Sequence, residues 1–305
     1  MSDTSLPRLR LHAGTAIWSG GTPQAPLDLW LLPGFGDSHL CFSEAFNQPL
    51  ARRARIQVWD LPGHGASPPQ PAGLTVARAA RLLRDLVADV SGDRPVVLLA
   101  HATAAVVAIV AAQLLETPPR LLINVAGNLT PEDSAWCSRA DDFDSAIAFA
   151  QNLHDEILAA APGQLVQSRY WRSLRLVDPR TLWSLCRSLL AYRNIGAAYL
   201  RLPCPSVYYW SAEATSPATR RFLAQHEPAQ RRLEGLGSWP MVKEPARFYR
   251  LVEDDMGRYL RAGPGEPAAL LPIERPPLRR PRTGQSWRPG PARLGRATRN
   301  LGPGS

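Results

Sequence analysis

Short apolar runs alternate along the chain with stretches whose apolar positions recur every three to four residues. The runs at 28–32, 55–59, 95–99, 120–125 and 206–210 are five or six residues long and rich in Leu, Val, Ile, Trp and Tyr. Continuous apolar strands of this kind predict a parallel sheet covered on both faces. Connections of helical composition separate the first four. The clearest is 75–90, where Leu82, Leu83, Leu86 and Val90 fall at helical spacing. This is the pattern of a doubly wound α/β sheet. Ahead of it, Leu9, Leu11 and Ile17 fit an antiparallel edge hairpin turned at residues 12–14. From about 130 to 201 no strand signal occurs, but 143–160 and 179–192 read as helices. An insertion there would sit over the carboxyl ends of the strands, where α/β sheets bind ligands. The expected organisation is therefore a core over 1–129, a helical cap over 130–201, a second core segment over 202–262 and, from 263, an Arg/Pro/Gly-rich tail expected to be disordered. The window 96–115 has the hydropathy of a membrane span, but Pro95 and the following valines and leucines read as a buried strand turning sharply into an Ala-rich buried helix. No membrane segment is expected.

Composition changes this picture in one place. The chain carries a formal net charge of +9 over 305 residues. Most of it lies in the tail, where eight arginines stand against Glu266 and Glu274. A near-neutral body with a basic tail does not favour groove-type nucleic-acid binding by the folded part, so the tail is left as a non-specific contact for acidic partners or nucleic acid. Cys41, Cys137, Cys186 and Cys204 form no C-x-x-C pair, which suggests neither a zinc site nor a disulfide framework. Residues 1–20 hold no apolar stretch behind a basic start, so a cytoplasmic location is expected.

Four segments resemble the α/β-hydrolase superfamily in order and spacing. Leu31-Leu32-Pro33-Gly34-Phe35-Gly36-Asp37 is similar to the loop that donates one oxyanion-hole amide, which the resemblance assigns to Phe35. Trp59-Asp60-Leu61-Pro62-Gly63-His64-Gly65-Ala66-Ser67 resembles a structural turn after the fourth strand. Leu99-Ala100-His101-Ala102-Thr103-Ala104 stands where the family carries G-x-S-x-G, with Ala102 in the nucleophile's place and the Thr103 amide as second oxyanion donor. Leu236-Gly237-Ser238-Trp239-Pro240 resembles the loop of the general base, with Ser238 where His is expected. For the acid, Val125-Ala126-Gly127-Asn128 resembles a Glu-Gly-Asn sequence with Ala126 in the Glu position, while Glu213 after the run at 206–210 is the alternative. The resemblance thus implies an α/β-hydrolase fold with a helical cap inserted after the sixth strand and a degenerate triad at Ala102, Ala126 and Ser238. A methyl group cannot attack a carbonyl, and a serine hydroxyl cannot take a proton near neutrality.

The residues leave two readings of the site. One is a non-hydrolytic protein that binds a small hydrophobic carbonyl or acyl compound through Phe35, Thr103 and Trp239. The other is an enzyme of different chemistry, such as cyclisation, elimination or decarboxylation, using His39, Asp37 or Glu213, or a hydrolase with a relocated nucleophile. His39 and Asp37, in the loop after the oxyanion glycines, read either as solvent-facing loop residues or as an acid–base pair facing the pocket, whereas His101 reads as a packed histidine. Cys41 reads as a buried thiol with nucleophilic attack as its alternative. The Thr103 side chain is expected to turn into helix packing. Trp136, Tyr170, Trp171 and Trp183 line an aromatic pocket or pack the core. No cofactor and no metal site is expected.

Overall fold

The apolar runs pair into one sheet because both of their faces find partners. The computed structural model describes residues 5–160 and 165–261. Strands β1 (Ser5–His12) and β2 (Thr15–Gly21) form the edge hairpin, turned through Ala13 and Gly14, both at positive φ. Strands β3 (Asp28–Leu32), β4 (Arg55–Asp60), β5 (Val96–His101), β6 (Leu121–Val125), β7 (Ser206–Trp210) and β8 (Gln230–Arg232) complete it in the order β1-β2-β4-β3-β5-β6-β7-β8. Beyond the antiparallel β1–β2 and β2–β4 pairs every pairing is parallel. Alternate residues face opposite layers, as strand geometry requires. Trp30, Leu98, Leu122 and Tyr208 pack with α1 (Val76–Ser91) and α2 (Ala104–Ala112). Leu29, Leu31, Val97, Leu99 and Ile123 face the other layer, which contains Phe248, Tyr249 and Val252.

Local chemistry sets the helix starts. Thr75 caps α1 by accepting from the Arg78 N–H at 3.2 Å. The expected helix at 143–160 begins later, as α3 (Ala146–Ala160), because Ser145 Oγ accepts from the Ala148 N–H at 3.1 Å and makes Ser145 the cap. Helices α4 (Leu165–Leu174), α5 (Pro179–Leu189) and α6 (Gly196–Tyr199) follow before β7. After it come α7 (Pro217–His226), α8 (Pro240–Lys243) and α9 (Pro245–Arg261). The short β8 and a 3-10 helix at His39–Asn47 went unforeseen: neither carries a long enough periodic signal. The apolar window at 96–115 is β5, a tight turn and α2, and among the described residues no helix is long and apolar enough to cross a membrane. The tail expected from 263 lies outside the described residues.

The turn at 59–67 is organised by one buried carboxylate. Asp60 accepts from the His39 N–H at 2.6 Å, the Trp18 indole N–H at 3.2 Å and the Ala66 N–H at 2.9 Å, and pairs with His39 Nδ1 at 2.9 Å. Gly65, at φ 51°, passes so close that a Cβ would lie 2.3 Å from Asp60 Oδ2, so no other residue fits there. Ser67 Oγ closes the turn by donating to the Asp60 carbonyl at 2.5 Å while accepting from the Ala16 N–H at 2.7 Å. The Gly63 carbonyl in turn accepts from the Asp178 N–H, which joins this turn to the start of α5.

Candidate functional site

The carboxyl ends of β3, β5, β6 and β7 open beneath the helices that follow β6. At the end of β5 the chain turns sharply into α2, with Ala102 at φ 49°. An alanine held there gives up about 1–2 kcal/mol to the crowding of its Cβ. The conformation is pinned by the Ala102 N–H donating to Val125 O and by the Ala105 N–H donating to Ala102 O. One strand along, Ala126 repeats the conformation, also at φ 49°, and donates its N–H to Tyr209 O. Ala100 and Ala104, which stand where the family carries glycines, are both buried, and the tight turn is kept.

A cavity of about 510 Å³ lies against these turns. Ala102, Ala126 and Ser238 all line it, together with Gly34, Phe35, Asp37, His101, Thr103, Glu213 and Trp239. Leu153, Tyr170 and Leu182 of the helices after β6 supply part of the remaining wall. Three positions far apart in sequence thus meet at one cavity.

Polar groups at its floor are largely committed to one another. The Phe35 N–H, expected to point free into the pocket, donates to Thr103 Oγ1 at 2.8 Å. Two expectations are corrected by this bond: the Thr103 hydroxyl reaches across to the glycine loop instead of turning into helix packing, and the Phe35 amide is already satisfied. The Phe35 carbonyl accepts from the Tyr170 hydroxyl at 3.0 Å. The Thr103 N–H stands at the start of α2, where backbone donors have no partner within the helix. His101 is buried but belongs to the cavity wall, its Nε2 lying 2.7 Å from Ser238 O. Burial holds its pKa down to about 4, against a hydrogen bond to the Ser238 carbonyl that works the other way.

The remaining candidates separate clearly. Asp37 is buried at the cavity, and desolvation raises its pKa even though the Ser38 N–H, the Trp239 indole and the Cys41 thiol all stabilise the anion. The Trp239 Nε1–H donates to Asp37 Oδ2 at 3.0 Å. His39 does not face the cavity. Its ring stacks on Trp18, with centroids 4.1 Å apart, and pairs with Asp60, because that carboxylate offers a stronger partner than solvent. Glu213 is exposed at the rim, where its own backbone N–H and the Ser211 hydroxyl hold its carboxyl below the usual range. Cys41 is buried, and desolvation pushes its thiol well up, which disfavours the thiolate. Trp136 and Tyr170 line the cavity. Trp183 instead donates its indole N–H to Ala140 O, and Trp171 packs under Arg175. Among the described residues no group of three or more His, Cys, Asp or Glu side chains could hold a metal ion.

Sequence reasoning missed the bond between Thr103 and Phe35 and the one between Tyr170 and Phe35. Their partners lie 68 and 135 positions apart, and nothing in the local pattern announces them.

Comparison with known proteins agrees with this architecture. A thermophilic esterase from Thermogutta terrifontis superposes with a TM-score of 0.65 at 15% identity, covering 84% of this chain and 99% of that one. A hydrolase from Pseudomonas aeruginosa gives 0.64 at 16%, covering 84% and 98%. One from Oleispira antarctica gives 0.63 at 13%, covering 79% and 94%. At such identities the likeness speaks for the fold alone. A search of curated proteins finds no match. The sequence profile of the Alpha/beta hydrolase family matches residues 31–251, most of the chain: this protein belongs to that family.

Proposed function

We propose that this chain is a triad-deficient member of its family that binds a small, hydrophobic carbonyl or acyl compound without hydrolysing it, as a binding or accessory protein. The observation that carries the reading is the turn at Ala102. Its left-handed conformation beside a cavity of about 510 Å³ is what a nucleophile elbow needs, yet its side chain is a methyl group. Ala126 and Ser238 at the same cavity carry no acid and no base. The Phe35–Thr103 bond supports the reading further, because an amide that already donates at 2.8 Å is poorly placed to stabilise a developing oxyanion. Binding would then rest on the apolar wall, the Thr103 amide and Trp239.

A second reading, an enzyme of different chemistry, is favoured by one group. Asp37 is a buried carboxyl at the cavity with a raised pKa, the condition under which an acid can deliver a proton at higher pH than usual. Glu213 at the rim would be its exposed companion.

Hydrolysis of an aryl-ester and acyl-thioester panel tests the choice, with the natural chain beside an Ala102→Ser/Ala126→Glu/Ser238→His variant. Saturable binding without turnover by the natural chain, and turnover by the variant, is the expected result. Turnover at enzymatic rates by the natural chain overturns the triad assignment. Turnover that disappears in Asp37→Asn moves the catalytic role to that carboxyl.

A further inference from the structure

Two of the four cysteines, 49 positions apart in sequence, meet in the helices that follow β6. Cys137 opens the 3-10 helix Cys137–Asp142, and Cys186 lies in the last turn of α5. Two bonds tie these segments together. The Trp183 indole N–H donates to Ala140 O at 2.7 Å, and the Arg187 Nε–H donates to Asp141 Oδ1 at 2.7 Å. Ala140 stands one 3-10 turn after Cys137, while Trp183 and Arg187 flank Cys186 on its helix. Beside these ties the two thiols are hydrogen-bonded to each other, and both residues are buried in one apolar cluster. That bond and burial push the Cys186 pKa well up, so Cys186 is the sulfur that keeps its proton. Both cysteines also line the cavity of about 510 Å³, so a small molecule inside it meets two neighbouring sulfurs. Cys41, hydrogen-bonded to Asp37, and Cys204 do not line it.

We propose that Cys137 and Cys186 form a dithiol redox site in the cavity wall, joined as a disulfide when a small hydroperoxide enters the cavity. The site goes beyond the ligand reading above, because it needs only a cavity that admits a molecule the size of hydrogen peroxide. Cys137, as thiolate, attacks one peroxide oxygen. The O–O bond breaks, the other oxygen leaves as hydroxide and takes up a proton to become water, and Cys137 becomes a sulfenic acid. Cys186 then attacks Cys137 Sγ. The S–O bond breaks, and the departing hydroxide takes the Cys186 proton as a second water. Two thiols lose two electrons and two protons, and one peroxide is reduced to two waters. The product links the 3-10 helix to α5 covalently at the cavity wall and leaves Cys41 and Cys204 as thiols.

The full chain, reduced and then treated with hydrogen peroxide while folded, is followed by intact mass and by peptide mapping without reductant. The expected product is lighter by two hydrogens, with the Cys137 and Cys186 peptides linked and Cys41 and Cys204 free. Only a thiolate attacks, so the rate is expected to rise about tenfold per pH unit while the thiol form dominates. In Cys186→Ser the link is lost and dimedone traps a sulfenic acid on Cys137. Phenylarsine oxide, which bridges two neighbouring thiols with loss of water, gives a reading that needs no variant to fold: one arsenic per reduced chain, and none after peroxide. A folded chain that forms no link, or links only once urea has unfolded it, overturns the site. So does a Cys137 sulfenic acid that persists in the natural chain, because the sulfurs then cannot reach disulfide geometry. Oxidation is read with no acyl ligand present, so failure of the ester and thioester panel to bind leaves this site standing, and the reverse holds equally.

Discussion

Two histidines near the carboxyl ends of the strands have opposite fates. His39 pairs with Asp60, stacks on Trp18 and belongs to a network in which the carboxylate receives four partners. His101 makes one bond through Nε2 and keeps Nδ1 without a partner. The difference separates structure from site. Around Asp60 the polar groups answer one another and hold a turn in place. At the floor of the cavity an acceptor is left over, on a backbone that keeps the strained turns at Ala102 and Ala126. A fully satisfied network stabilises a fold, whereas a buried acceptor left without a partner costs it stability.

The comparison can be broken most severely at Asp60. Asp60→Ala leaves the His39 amide, the Trp18 indole and the Ala66 amide without their common acceptor, and is expected to cost on the order of 3–5 kcal/mol in urea unfolding. A loss below about 1 kcal/mol would mean that the network is ornamental.

His101 sharpens the contrast through pH. Its folded pKa, lowered to about 4 from 6.5, means that the unfolded chain takes up a proton that the folded chain refuses. Stability therefore falls as pH drops from 6.5 toward 4, by at most about 3 kcal/mol. His101→Gln is expected to make the acid limb of the stability curve shallower by a comparable amount. His64, also held low by burial, leaves a residual slope in both proteins. An unchanged acid limb in the variant would show that His101 is not the buried neutral ring described here.

Thr103→Val has the smallest expected effect. It removes the acceptor of the Phe35 N–H while keeping side-chain shape, and should cost about 1–3 kcal/mol. The same change frees the amide, so affinity for an aryl-ester ligand, read by titration, is expected to rise while stability falls. If neither quantity moves, the Phe35–Thr103 bond is not what closes the oxyanion position.

Much of the scaffold was legible because its signals are local. The run at 28–32 became β3 with the same ends, and the period at 75–90 became α1 one residue later, after its Thr75 cap. The positions of Ala102, Ala126 and Ser238 could be read from the motifs around them, and all three line the cavity. Side-chain directions could not. The loop after the oxyanion glycines left His39 open to either the pocket or solvent, but Asp60, 21 residues away, captured it. Thr103 was expected to pack into its helix, but its hydroxyl accepts from the Phe35 amide, 68 residues away.

What the sequence determined by itself is the succession of strands β1 to β7, the basic character of residues 262–305 and the chemical poverty of the elbow. These follow from periodicity and residue type, which every short segment carries alone. What only the tertiary structure decided is which polar groups are spent and which are left over. A hydrogen bond is settled by distances between segments remote in the chain. The bond that occupies the Phe35 amide and the unpartnered His101 Nδ1 atom became visible only when β3, β5 and the loop at Ser238 were brought together.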